Sequence, residues 1–141
     1  MPRMTFINLP VKDMRRATEF FGALGFSFDE EFTDDNATRM VVSEDASVML
    51  VAEPFFQSFI APQAIADTSA SREVIVGLSA DSREEVDDLA DRALRAGAQA
   101  LGEPDDQGFM YMRGFRDLDG HQWSFIFMDM SAIPQGEGSA R

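Results

Sequence analysis

The sequence predicts an α+β fold: two β-α-β-β-β modules whose curled sheets stand side by side around a central cup, with the helices outside. Three observations predict it. The same order of elements can be read twice, about 3–53 and about 73–130, on either side of a connector at 54–72. The helix ends match as well: Ala23-Leu24-Gly25 closes the first and Arg95-Ala96-Gly97 the second. Finally, Asp119-Gly120 offers residues that tolerate a left-handed turn, and an alternating strand follows. There Trp123, Phe125 and Phe127 form an aromatic wall, and Gln122, Ser124, Ile126 and Met128 face the other way. An internal repeat is a strong architectural signal, because each half alone leaves one sheet face uncovered.

Each element has its own local justification. Met4 to Val11 alternates Ile7, Leu9 and Val11 against Met4, Phe6 and Asn8, and Pro10 places this strand at an edge or near its end. Asp13 is the expected N-cap of a helix to Leu24, with Met14, Ala17, Phe20, Phe21 and Leu24 as its apolar stripe. Strands are expected over Phe26–Phe32, Ala37–Val42 and Ser47–Ala52, divided by Asp34-Asp35-Asn36 and Glu44-Asp45-Ala46. Pro54 to Arg72 reads as a loop anchored by Phe55, Phe56, Phe59 and Ile60, with a lid or subunit contact as the functional alternative. The second module opens with a strand over Glu73–Ala80. Its helix is entered through a Ser82/Glu85 capping box and carries Val86, Leu89, Ala90, Ala93 and Leu94 inward. Three strands close it: Gln99–Gly102, Phe109–Phe115 and Gln122–Met128. Residues 1–130 are taken as one domain and 131–141 as a flexible tail.

Composition removes several function classes. At 141 residues and 45% hydrophobic, the chain can bury a real core. Its formal charge of −13 argues against nucleic acid or an anionic membrane as partner. Without cysteine there is no disulfide, thiolate metal site or cysteine nucleophile, and a cytoplasmic setting is the default expectation. Neither a signal-peptide pattern nor a membrane-length apolar run is present in the sequence.

The repeat, the Asp117-Leu118-Asp119-Gly120-His121 turn and the closing aromatic strand together resemble the vicinal-oxygen-chelate superfamily of glyoxalase I, bleomycin-resistance proteins, fosfomycin-resistance transferases and extradiol dioxygenases. The Asn8-Leu9-Pro10-Val11-Lys12-Asp13 opening and the Gly108-Phe109-Met110-Tyr111 strand are similar to those of glyoxalase-like proteins termed predicted lactoylglutathione lyases. The resemblance covers residues 3 to 130 and implies a homodimer and cup-facing metal-ligand places on the first, fourth, fifth and eighth strands. Carried over by local pattern, those places are Phe6, Met49, Glu73 and Ser124. Only Glu73 is a suitable donor, and one carboxylate holds a divalent ion poorly against water. No cofactor is therefore expected; a divalent metal is possible but disfavoured. Lewis-acid chemistry of the glyoxalase kind loses ground accordingly.

Asn8, Glu73, Tyr111, Gln122 and Ser124 are the candidate ligand-orienting groups, with Phe6, Met49 and Trp123 lining or supporting the pocket. The polar ones could instead bond one another or water. Glu73 is either a cup-facing carboxylate, a candidate catalytic base, or a solvated residue at a strand start. His121, the sole histidine, has no partner visible in sequence and reads as a structural turn residue more than a base. The methionines and Phe109 serve the core first and give an adaptable pocket second. The leading expectation is a metal-free binder of a small, partly apolar molecule. The alternatives are a lyase or isomerase using Glu73 as general base, and an interaction module without a small ligand.

Overall fold

The structure is a computed structural model and describes residues 3–132. The chain divides into two compact units. One holds the residues up to Glu73 together with Leu118–His121, and the other holds Val74–Asp117 and the residues from Gln122 onward. The expected tail lies outside the described residues from position 133; before it, Met130–Ala132 forms a short 3-10 turn.

In the first unit, β1 (Thr5–Val11), α1 (Met14–Ala23), β2 (Ser27–Asp29), β3 (Ala37–Ser43) and β4 (Ala46–Ala52) follow one another. The sheet order is β1-β4-β3-β2, with β1 parallel to β4 and the remaining pairs antiparallel. Pro10, which has no N–H to give to a ladder, sits on the edge strand β1. Asp13 caps α1 by accepting from the N–H of Arg16 at 3.2 Å, and Gly25 takes a φ of 103° just past its end. Ala17, Phe20 and Phe21 of α1 are buried with Leu9, Val11, Val48 and Leu50, so the stripe read from sequence is the core.

Two expectations in this half are corrected. The strand expected over Phe26–Phe32 stops at Asp29, because the Asp29 carboxylate accepts from the N–H of Glu31 and turns the chain into a 3-10 turn over Glu30–Phe32. The connector is not all loop: Glu53–Ile60 forms helix α2, with Pro54 in its first turn, where a missing N–H costs nothing.

The second unit comprises β5 (Ile75–Ser79), α3 (Arg83–Arg95), β6 (Gln99–Ala100), β7 (Asp105–Asp106), β8 (Met110–Arg116) and β9 (Gln122–Met128). Its sheet runs β5-β9-β8-β6, the same permutation as the first, with β7 added beside β8. β5 starts two residues later than expected, so Glu73 precedes the strand. The capping box forms with one change of partner. Ser82 Oγ accepts from the N–H of Glu85 at 3.0 Å, while the Glu85 carboxylate accepts from the N–H of Asp81 at 2.6 Å. Trp123, Phe115 and Phe125 are fully buried beside Val86, Ala90 and Ala93 of α3. Trp123 keeps its polar end satisfied by donating Nε1–H to the buried Asp117 carboxylate at 2.9 Å.

Candidate functional site

Strand register decides which predicted site residues share a surface. Asn8 pairs with Met49 and Phe6 with Ser47, so Phe6, Asn8 and Met49 lie together on the face of the first sheet opposite α1. Arg39 pairs with Met49 and joins them. In the second unit Gln122 pairs with Ile75 and Ser124 with Gly77, on the face opposite α3.

Tyr111 does not belong to that surface. It pairs with Phe127, on the α3 side, where its hydroxyl donates to Asp87 Oδ1 at 2.7 Å and the Arg83 guanidinium lies 5.0 Å from its ring. The bond to Asp87, with burial second, raises its pKa above 10.0. Arg113 binds Asp87 and Asp91 on the same side. Burial works against its charge, yet the bonds to Asp91 and Asp87 outweigh burial and raise its pKa. These groups fasten α3 to β8 and engage the Tyr111 hydroxyl there, on the opposite face of the sheet from Gln122 and Ser124. Trp123 likewise belongs to the α3 side and lines no open face.

Glu73 is exposed and lies ahead of β5, with no hydrogen-bond partner among the described residues. Phe6 stands seven residues before its helix N-cap, Asp13; the residue seven before the second N-cap, Ser82, is Ile75. Within the repeat, then, the counterpart of Phe6 is Ile75. Sequence parity could not separate the two, because positions 73 and 75 point the same way. With Ile75 taken in place of Glu73 on this count, the first unit offers a ring and a thioether at the places carried over, and the second a hydrocarbon and a hydroxyl. Such a donor set does not fit a divalent ion. Among the described residues no three His, Asp or Glu side chains gather to hold one elsewhere.

His121 accepts the structural reading. Its Nε2 lies 2.7 Å from the carbonyl of Pro10, an oxygen that can only accept, so Nε2 carries the proton. The same turn is held by the Lys12 N–H donating to Asp119 Oδ1 at 2.9 Å and by Thr68 Oγ1–H donating to the Asp119 carbonyl at 2.7 Å. Behind it opens a cavity of about 220 Å³ lined by Pro10, Lys12, Glu53, Asp67, Thr68 and His121, among others. This cavity includes none of the predicted ligand residues. Asp67 is engaged with its own turn, where the hydroxyl and N–H of Ser69 lower its pKa.

The residue that the sequence reading missed is Arg39. Its Nε–H donates to Ser47 Oγ at 2.8 Å and its Nη1 to Asp29 Oδ2 at 3.1 Å, and its side chain is 16% exposed. The rings of Phe6 and Phe32 flank its guanidinium at 5.7 and 5.5 Å. The available signal was parity: an arginine between Thr38 and Met40 must face away from them, onto the surface shared with Met49.

Comparisons with known proteins agree with this architecture. The family model described as Glyoxalase/Bleomycin resistance protein/Dioxygenase superfamily matches residues 3–125. Hypothetical protein SA1046 from S. aureus is 28% identical with a TM-score of 0.76, over 90% of this chain and 95% of that one. A glyoxalase/bleomycin resistance protein/dioxygenase family enzyme from Burkholderia phytofirmans PsJN is 16% identical with a TM-score of 0.77, over 90% and 99%. Fosfomycin resistance protein FosX from Mesorhizobium loti is 16% identical with a TM-score of 0.61, over 93% of each chain. A comparison with curated proteins finds no match.

Proposed function

Because the chain belongs to the glyoxalase/bleomycin resistance protein/dioxygenase superfamily, we propose that it binds a small, partly apolar molecule without help from a divalent metal. The observation that carries this reading is the chemistry of the places carried over from the resemblance: Phe6, Met49 and Ser124 offer apolar surface and one hydroxyl, and by the repeat the counterpart of Phe6 is Ile75, two residues after the exposed Glu73. Phe6 and Met49 give a ligand hydrocarbon something to cover, and Asn8 beside them supplies an amide that donates and accepts. On the second sheet's face away from α3, Gln122 supplies a half-buried amide and Ser124 a buried hydroxyl. Holding such a molecule without chemical change asks for no more than this. In the same proposal the chain works as a homodimer, which sedimentation at micromolar concentration tests.

A lyase reading with Glu73 as general base has less support, since among the described residues none bonds that exposed carboxylate to orient it. No helix among the described residues is long and apolar enough to cross a membrane.

The test is a thermal-shift screen of small aromatic and aliphatic compounds, run in EDTA and again with added divalent cations. A ligand present at a hundred times its Kd stabilises the folded state by about 2.7 kcal/mol. The proposal expects equal shifts in both conditions. Stabilisation that appears only with added metal, and is lost in Glu73→Gln, would put the lyase reading in its place.

A further inference from the structure

Resting on that reading and narrowing its ligand class, we propose that the first sheet's open face is an anion subsite in which Arg39 receives a carboxylate, phosphate or phosphonate. The apolar part of the same ligand lies against Phe6 and Phe32. A guanidinium carries five N–H donors in one plane. In Arg39 one goes to Ser47 Oγ and one to Asp29 Oδ2, which leaves both Nη2 hydrogens and one on Nη1 without a partner among the described residues.

The guanidinium lies over the rings of Phe6 and Phe32, with Cζ 5.7 and 5.5 Å from their centroids, so its unpartnered N–H groups stand beside apolar surface. Anchored at Nε and Nη1, the fork is held in one orientation before any ligand arrives, which reduces the ordering cost of binding. An anion oxygen at Nη2 gains a charge-assisted bond beside two hydrocarbon rings, where water screens it less than at an open surface.

The rings themselves point to the rest of the ligand. Phe6 is 49% exposed and Phe32 56%, large apolar areas left uncovered by the described chain near a charge. Met49, half-buried next to Arg39, adds a deformable wall, and Asn8 beyond it can bond a second polar group. A chain of net charge −13 repels anions at a distance, so the affinity must come from these contacts and not from steering. Asp29 already neutralises part of the Arg39 charge. The subsite therefore suits a monoanionic or dianionic group on a flat hydrocarbon, and suits a bare inorganic anion poorly.

The experiment titrates phenylacetate and phenylphosphonate, with neutral phenylacetamide and cationic phenethylamine as matched probes, into the full chain in EDTA, read by NMR shifts and calorimetry. The expected result is anions binding about tenfold tighter or more than the amide, and the amine weakest. Arg39→Gln should erase that preference. The Asp29→Asn/Arg39→Gln double variant should erase it too, which guards against a fold disturbed by an unpaired Asp29. Phe32→Ala, at an exposed position, should weaken anion and amide alike. Amide binding as tight as the anions, or a preference surviving in both Arg39 variants, overturns the subsite while leaving metal-free binding standing. Failure of every aromatic probe overturns the subsite, and metal-free binding then stands or falls with the wider thermal-shift screen.

Discussion

Five residues before each helix N-cap the two units present corresponding rows across their sheets, and the rows are filled in opposite ways. In the first unit the row is Asn8, Met49 and Arg39; in the second it is Gly77, Ser124 and Gly114. One places a guanidinium and a thioether over the sheet. The other is reduced to a hydroxyl between two glycines, and its neighbours close in: a Cβ at Gly77 would lie 3.3 Å from Ser124 Oγ and from Ile126 Cδ1. A shared backbone thus leaves the middle row free to carry either chemistry or close packing. Neither version keeps a carboxylate or imidazole there. The helix-facing sides differ less, since both bury a strand-and-helix core, although the second concentrates its aromatic mass in Trp123, Phe115 and Phe125.

Three substitution or titration experiments would break or sharpen this comparison. The largest effect belongs to the aromatic core of the second unit. Phe125→Ala should cost about 3–5 kcal/mol, and its counterpart Leu50→Ala about 2–5 kcal/mol, by urea unfolding followed through Trp123 fluorescence. Equal loss at both positions would show that aromatic mass does not distinguish the two cores.

The glycine row comes next. Gly114→Ala would bring a Cβ to 3.3 Å from the Trp123 carbonyl, a backbone atom that moves only with its strand, and should cost about 1–3 kcal/mol. Gly77→Ala meets only side-chain atoms and should cost less. A reversed ranking in the same unfolding experiment would mean that the close approach at Gly114 is not what keeps this row small.

Smallest are the titrations on the α3 side. Asp106, bonded by Arg83 and by the N–H of Gly108, is lowered to about 2. A carboxylate lowered in the folded state stabilises it above the ordinary carboxylate value, and the contribution is lost as pH falls through about 2. NMR of the carboxyl carbon should show that midpoint, moving back toward 3.8 in Arg83→Gln. Tyr111, the sole tyrosine, has the opposite sign: its contribution is complete below 10.0 and is lost as pH rises through its raised value. Tyrosinate absorbance should report a midpoint above 10.0, lowered in Asp87→Asn.

Helix boundaries were legible because their signals are local. Asp13, Ser82, Gly25 and Gly97 each act on backbone within a few residues, and each does what its type favours. The closing strand was legible because Trp123, Phe125 and Phe127 alternate without ambiguity. Where both faces of a strand mix large and polar residues, parity gives no orientation: in Met110–Arg116 nothing local says that Tyr111 faces α3 while Met112 does not. Register is harder still. Glu73 and Ile75 share a parity, and only the end of β5 separates them. Arg39 escaped notice because a charge within a strand reads as solvated, and its flanking rings come from Phe6, on another strand, and from a turn. α2 was hidden by Pro54, which interrupts helices in their interior and suits their first turn.

The turn at Leu118–His121 has a consequence for how the protein is made. Lys12, Thr68 and Pro10 hold it within the first unit, yet it is encoded between two strands of the second. A gene cut after codon 73 would deliver that unit short of four residues. A ribosome emitting the chain cannot complete its earlier half until the loop before the final strand has emerged.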